Sequence, residues 1–243
     1  MASLPDVDVK VLGLQATPAA AVPSPPLVDG APVSLIRLTR AGLSASPYLE
    51  PWITMVNRVY TDSFDPAYVS HSWNRLDSAA QLLRELNDES IICFLVPVES
   101  SDLRVLASVC AQPFEQPTQK YLESLNPDRR VWLPPPTPEY HPNAPRWFVK
   151  FLCVAPEIQR QGLASRLMDL IESPVRKTVR GASGIVEGEH NGVVLVLSAF
   201  KETTGAFYTR KGWRTVEDRW MAPGFIGSQT GFFVAFMDRY LPV

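Results

Sequence analysis

The residues most able to do chemistry in this 243-residue sequence are gathered in one stretch. From 147 to 171 the chain runs through the apolar WFVKFLCV, then Val154-Ala155-Pro156-Glu157-Ile158, then Gln159-Arg160-Gln161-Gly162-Leu163-Ala164, into an amphipathic segment. That order reads as strand, turn and helix N-terminus. The first turn of a helix presents N–H groups with no intrahelical acceptor and the positive end of the macrodipole, so such a turn suits a phosphate. Gly162 and Ala164 put little side chain in the way, and Arg160 adds a positive charge. Residues 156–180 hold five cationic side chains (Arg160, Arg166, Arg176, Lys177, Arg180) against three acidic ones (Glu157, Asp169, Glu172). The same residues also suit close helix packing with the arginines as a solvated face, so the turn alone decides nothing.

Other chemistries find less support. Cys93, Cys110 and Cys153 form no CxxC pair and lie in apolar runs, where thiols behave as small buried hydrophobes. His71, His141 and His190 are equally scattered, and no metal site is expected. The phosphate-loop pattern GxxxxGK[ST] and the dinucleotide pattern GxGxxG are both absent, which weakens a nucleotide-binding reading. Lys plus Arg (23) nearly balance Asp plus Glu (25), so no overall basic field exists to hold nucleic acid or an anionic membrane. Asp6 and Asp8 stand where a secretory signal would be positive. Apolar runs such as VVLVLSAF fall far short of the roughly 18 residues a membrane span needs. A soluble, cytoplasmic protein is expected.

Proline punctuates the elements that must position the chemistry. Of 23 prolines, six lie in residues 1–32 and nine in 113–145. The first group marks residues 1–32 as an extended arm or disordered leader, since it repeatedly lacks backbone donors. The second marks a long loop at about 115–145, in which Tyr121, Trp132 and Tyr140 favour packing. Between and after these, VSLIRLTR (33–40) alternates as a half-buried strand. Leu49–Phe64 and Leu76–Leu86 repeat at helical spacing, with Trp52, Ile53, Val56 and Tyr60 on one face of the first. IICFLVPVE and LRVLASVCAQPF, parted by a short turn, predict an antiparallel hairpin. RWFVKFLCV predicts a strand, and 162–178 a helix with Leu163, Leu167, Leu170 and Ile171 on its stripe. GVVLVLSAF, TTGAFYTRKG, WRTVEDRWM and TGFFVAFMDRY then read as strand, short helix and two strands.

The turn resembles the signature V-x-P-x-x-[QR]-x-x-G-x-[GA] of the GNAT superfamily of acyl-CoA N-acyltransferases, filled here by Val154, Pro156, Gln159, Gly162 and Ala164. A second family feature, Y-x-x-x-G-[FW], is filled by Tyr208, Gly212 and Trp213, and two spaced motifs in order are harder to obtain by chance than one. The predicted element order from 33 to 240 is also the family's. The arrangement of Thr204 and Gly205 before Tyr208 is similar to eukaryotic, particularly fungal, members. The resemblance implies an α/β (α+β) fold, a mixed, mostly antiparallel sheet with splayed central strands and about four helices on both faces, formed by a single domain over 33–243.

It also implies acetyl-CoA as co-substrate. The strand would pair with the pantetheine arm through Leu152 and Val154, the N–H groups of Arg160, Gln161, Gly162, Leu163, Ala164 and Ser165 would bind the pyrophosphate, and Gln159 would also belong to the cofactor site. Tyr208 would protonate the departing thiolate. The implied reaction is direct attack of an amine on the thioester, with a backbone N–H holding the oxyanion and no covalent enzyme intermediate. Two departures stand out. WFVKFLCV carries Lys150 where many members have a carboxylate, and Lys201 stands seven residues before Tyr208 in place of a cofactor-contacting Asn; a lysine there can reach a phosphate or lie in solvent. The base is open among Asp62, Asp65, His71, Glu139, His141, Glu187, Glu189, His190 and water.

The acceptor is expected to enter at the beginning of the strand that ends at Val154, with 115–145 walling its pocket. Aromatic loop residues favour a small-molecule amine. A protein or peptide N-acetyltransferase is the alternative, and a non-catalytic acyl-CoA-binding module the competing class. A homodimer is expected to be within reach.

Overall fold

The computed structural model describes residues 27–28, 30–63, 74–98, 103–114, 141, 144–182, 192–225 and 228–243. The expected leader up to Pro26 and most of the 115–145 loop lie outside these residues. Eight strands form one sheet in the order β1-β2-β3-β4-β5-β6-β8-β7. They are β1 (Leu27–Val28), β2 (Ala31–Leu38), β3 (Ile91–Pro97), β4 (Ala107–Pro113), β5 (Arg146–Val154), β6 (Gly192–Phe200), β7 (Arg214–Met221) and β8 (Phe232–Pro242). Every neighbouring pair is antiparallel except β5 with β6. The mixed, mostly antiparallel α+β fold is as the sequence implied.

The helices are α1 (Arg40–Ser44), α2 (Leu49–Ser63), α3 (Ala79–Glu85), α4 (Leu163–Ala182) and α5 (Ala206–Arg210). The five-residue α1 is absent from the sequence expectations. It starts where Thr39 leaves the strand and caps the helix, its hydroxyl accepting from the Gly42 N–H at 3.1 Å. Strand β2 begins at Ala31 instead of Val33, and Gly30, at φ +78, turns the chain back onto β1.

Consecutive buried residues along β3, β4 and β6 require cover on both faces of the sheet. Helices α2 and α3 cover one face, where Trp52, Met55, Val56 and Leu82 are buried. Helix α4 covers the other through Leu163, Leu167, Ile171, Val175 and Val179, a strict four-residue repeat. Full burial of each such side chain contributes about 1.5–3 kcal/mol. Leu170, expected on that stripe, is half-buried at its edge. Pro174 lies inside α4, so the bond its N–H would make is missing, yet the buried stripe carries the helix on to Ala182.

Candidate active site

Strand β5 pairs with β6 only through Arg146↔Val194, Trp147↔Leu195 and Phe148↔Val196. From Val149 to Val154 the edge toward β6 has no ladder partner among the described residues, so the two strands part and leave backbone groups facing a gap. On the opposite edge β5 stays on β4, but with a bulge: Ala107 faces Val154 and Ser108 faces Cys153, whereas Cys110 faces Lys150. Phe151 and Leu152 therefore share the single partner Val109.

Phe151 takes the bulge in a left-handed conformation, φ +52, which a bulky residue adopts at a cost of about 1–3 kcal/mol and only where its surroundings hold it. Its surroundings are specific. The buried Ser108 hydroxyl donates to the Phe151 carbonyl at 2.9 Å, and Trp52 of α2 donates its ring N–H to the same hydroxyl oxygen at 2.9 Å. Trp52 packs edge-on against Phe151 with centroids 5.4 Å apart. The peptide is trans, so the Leu152 N–H points opposite to that carbonyl, away from Ser108 of β4.

At the end of β5 the chain enters a single 3-10 turn, Pro156–Ile158, and then α4. The Gln159 side-chain amide donates to the Val154 carbonyl at 3.0 Å and ties the turn to the strand end. Arg160 (φ +65) and Gly162 (φ +78) are both left-handed, one residue apart. A Cβ at Gly162 would meet nothing within 4 Å, so glycine answers to the backbone there, and the space beside it is open. Arg166 N–H donates to the Gly162 carbonyl at 3.1 Å, the first i to i−4 bond of the helix. The N–H groups of Gly162, Leu163, Ala164 and Ser165 precede that ladder and have no helical acceptor. Glu157 would repel an anion here, but Arg58 of α2 grips its carboxylate at 2.7 and 3.2 Å.

Tyr208 of α5, close enough to Cys153 of β5 to feel its thiol, is 9% exposed and in T-shaped contact with Trp213. Burial, followed by the nearby Tyr60 phenol and Cys153 thiol, pushes its phenol well above the ordinary value. Burial likewise raises Tyr60 to about 12 and Cys153 to about 12. The three cysteines are buried and free. On the α2 and α3 face, Arg75 lies over the Phe151 ring at 5.1 Å and holds Glu85 by two bonds of 2.6 and 2.9 Å. Burial pushes the Glu85 carboxyl up, but Arg75, Lys150 and Gln81 outweigh it and hold the carboxyl below its usual range. Lys150 donates to the Glu85 carbonyl at 2.9 Å, and burial lowers its ammonium despite that carboxylate.

Sequence reasoning singled out Leu152, Val154, the Gln159–Ser165 turn and Tyr208, and the structure gathers the strand end, the turn and the head of α4 at one end of β5. Lys201 follows β6 in a five-residue π-turn, Lys201–Gly205, its ammonium on the Asp218 carboxylate and 5.6 Å from the Phe233 ring centroid. Of the base candidates, Asp62 pairs with Arg58 at 3.3 Å, and His141 stacks on Tyr240 at 3.7 Å between centroids. Asp65, His71, Glu139, Glu187, Glu189 and His190 lie outside the described residues. Sequence reasoning missed the Trp52–Ser108–Phe151 chain and the Arg75–Glu85–Lys150 cluster. The one available signal was Ser108 itself, a hydroxyl amid LASVCA, which burial obliges to find partners. Among the described residues no group of three or more His, Cys, Asp or Glu is placed to hold a metal.

A mixed sheet parted at the end of one central strand, with a glycine turn and helix N-terminus at the head of the gap, defines an acetyltransferase type of fold. Residues 55–185, more than half the chain, match the model of the acetyltransferase (GNAT) family, and the chain belongs to that family. Two solved structures share the fold. The ribosomal-protein-S18-alanine N-acetyltransferase from Escherichia coli is 13% identical with a TM-score of 0.51, covering 87% of this chain and 95% of its own. The PaiA N-acetyltransferase from Thermoplasma acidophilum, in complex with coenzyme A, is 14% identical with a TM-score of 0.50, covering 86% and 99%. No curated protein sequence matches the chain.

Proposed function

We propose that this protein moves an acetyl group from acetyl-CoA to an amine of a small molecule by direct attack. The observation that carries the reading is the edge of β5 left unpaired toward β6 beyond Phe148, with the N–H groups of Gly162–Ser165, which have no helical acceptor, at its head. An extended pantetheine arm would fit the free edge as a missing strand does, through the backbone of Leu152 and Val154. A diphosphate would find several N–H donors and a helix N-terminus, with Arg160 and Gln161 beside it and Glu157 already neutralised.

Within that frame the residues have separate tasks. The Leu152 N–H stabilises the thioester oxygen as it gains charge, where a pre-aimed donor counts most. Tyr208, kept protonated by its burial, offers its O–H as a hydrogen bond to the departing thiolate. Glu85 is tied to Arg75 and Asp62 to Arg58, so neither is a ready base. The amine reacts from its neutral fraction or passes its proton to water or to another of the base candidates. The preference for a small molecule rests on the aromatic residues Trp132 and Tyr140 of the 115–145 segment. The same proposal takes the protein as a cytoplasmic, fungal-type member of its family able to form homodimers; that part rests on the sequence expectations alone.

The test is a thermal shift with acetyl-CoA, followed by thiol release with spermidine, tyramine, lysine and an alanine-initiated peptide. Wild type should be stabilised, and Gly162→Asp should show no shift, because its carboxylate meets the diphosphate; the left-handed backbone there costs an Asp about 1 kcal/mol, and a melting curve without coenzyme checks that the variant folds. Stabilisation without thiol release from any amine points to a binding module, fastest release with the peptide to a protein acetyltransferase, and equal shifts for both proteins overturn the phosphate site.

A further inference from the structure

The donor aimed at the reacting oxygen is a backbone N–H, and what aims it lies on other elements. Ser108 is fully buried, and its hydroxyl has one proton to place. The Trp52 ring nitrogen can only donate, so its 2.9 Å contact must use a lone pair of the Ser108 oxygen. The Ser108 proton is then directed at the Phe151 carbonyl, also at 2.9 Å. That carbonyl belongs to the residue held at φ +52, and across the trans peptide the Leu152 N–H points the opposite way, away from Ser108 of β4 and so to the side on which β6 has parted from β5.

We propose that Ser108, oriented by Trp52, is a positioning residue for acyl transfer: it fixes the 151–152 peptide plane and so aims the Leu152 N–H at the oxygen that becomes negative. This rests on the acetyl-transfer reading above. Without the hydroxyl, the Phe151 carbonyl loses its partner, and a residue in a strained conformation relaxes toward ordinary strand geometry. The peptide plane then rotates, and the donor leaves the line that the developing charge needs. The phosphate turn is untouched, since its donors belong to the head of α4.

The experiment measures thiol release with acetyl-CoA and the best amine of the panel, for wild type, Ser108→Ala and Ser108→Cys, with a melting curve for each. In Ser108→Ala, kcat should fall about tenfold to a hundredfold, less than the roughly hundredfold to thousandfold that outright removal of such a donor costs, because the N–H is misdirected and not deleted. The KM for acetyl-CoA should stay within about twofold, and the acetyl-CoA thermal shift should persist. Ser108→Cys, which keeps a weaker donor of similar size, should recover part of the lost kcat. If Ser108→Ala does not fold, the cysteine variant carries the test through a lowered kcat at unchanged KM. A kcat equal to wild type in the folded variants, or a loss seen in KM alone, overturns the positioning role. A wild type that releases no thiol with any amine overturns the acetyl-transfer reading itself.

Discussion

A phenol shut away from water is a poor acid but a dependable hydrogen-bond donor, and this decides what Tyr208 can do. Its value lies well above the ordinary 10 or so, so the proton stays on through the whole range in which amines lose theirs. Turnover should climb with pH as the acceptor deprotonates and should show no alkaline fall traceable to Tyr208 up to about pH 10. Tyr208→Phe should lower kcat roughly tenfold to a hundredfold and leave the acetyl-CoA thermal shift in place; an unchanged kcat would remove Tyr208 from the chemistry. Tyr208 and Gly162 were legible in the sequence because their tasks depend on spacing within one segment. Ser108 and Glu85 were not, since each acts on a partner more than 40 residues away or on a pair of side chains that no local pattern links.

Among the elements, β5 was readable to the residue as RWFVKFLCV, while its bulge was not. A bulge is a mismatch between two strands, and one strand's alternation does not contain it. Helix α3 shows another such dependence: its last residue, Glu85, joins Arg75 in the preceding loop and Lys150 on β5. The Glu85 carboxyl is held below its usual range in the folded protein. Its contribution to stability is therefore complete above the unfolded value of about 4.3 and is lost as pH falls through the lower folded value. Glu85→Gln should cost about 1–3 kcal/mol at pH 7 by leaving Arg75 imperfectly paired. In urea melts, the gap between variant and wild type should narrow as pH falls below about 4.3. A gap that stays constant as the solution is acidified below that value would show that the pair adds nothing through its charge.

Seen as a whole, the molecule is a sheet held together by antiparallel ladders and parted at its one parallel pair. The hydrophobic periods predicted its strands and the β3–β4 hairpin, whereas the mixed, mostly antiparallel sheet was what the family resemblance implied. The parting itself is less legible. It follows from β5 leaving β6 after Phe148 while β6 continues on β8 to Phe200, a matter of pairing choices and not of composition. The account stands on the diphosphate lying against the backbone at the head of α4. Its most direct test is a crystal structure with coenzyme A bound. The account predicts phosphate oxygens within hydrogen-bond distance of the Gly162–Ser165 N–H groups and the pantetheine arm along the free edge from Leu152 to Val154. Coenzyme A bound elsewhere, with that turn in contact with solvent alone, would contradict it.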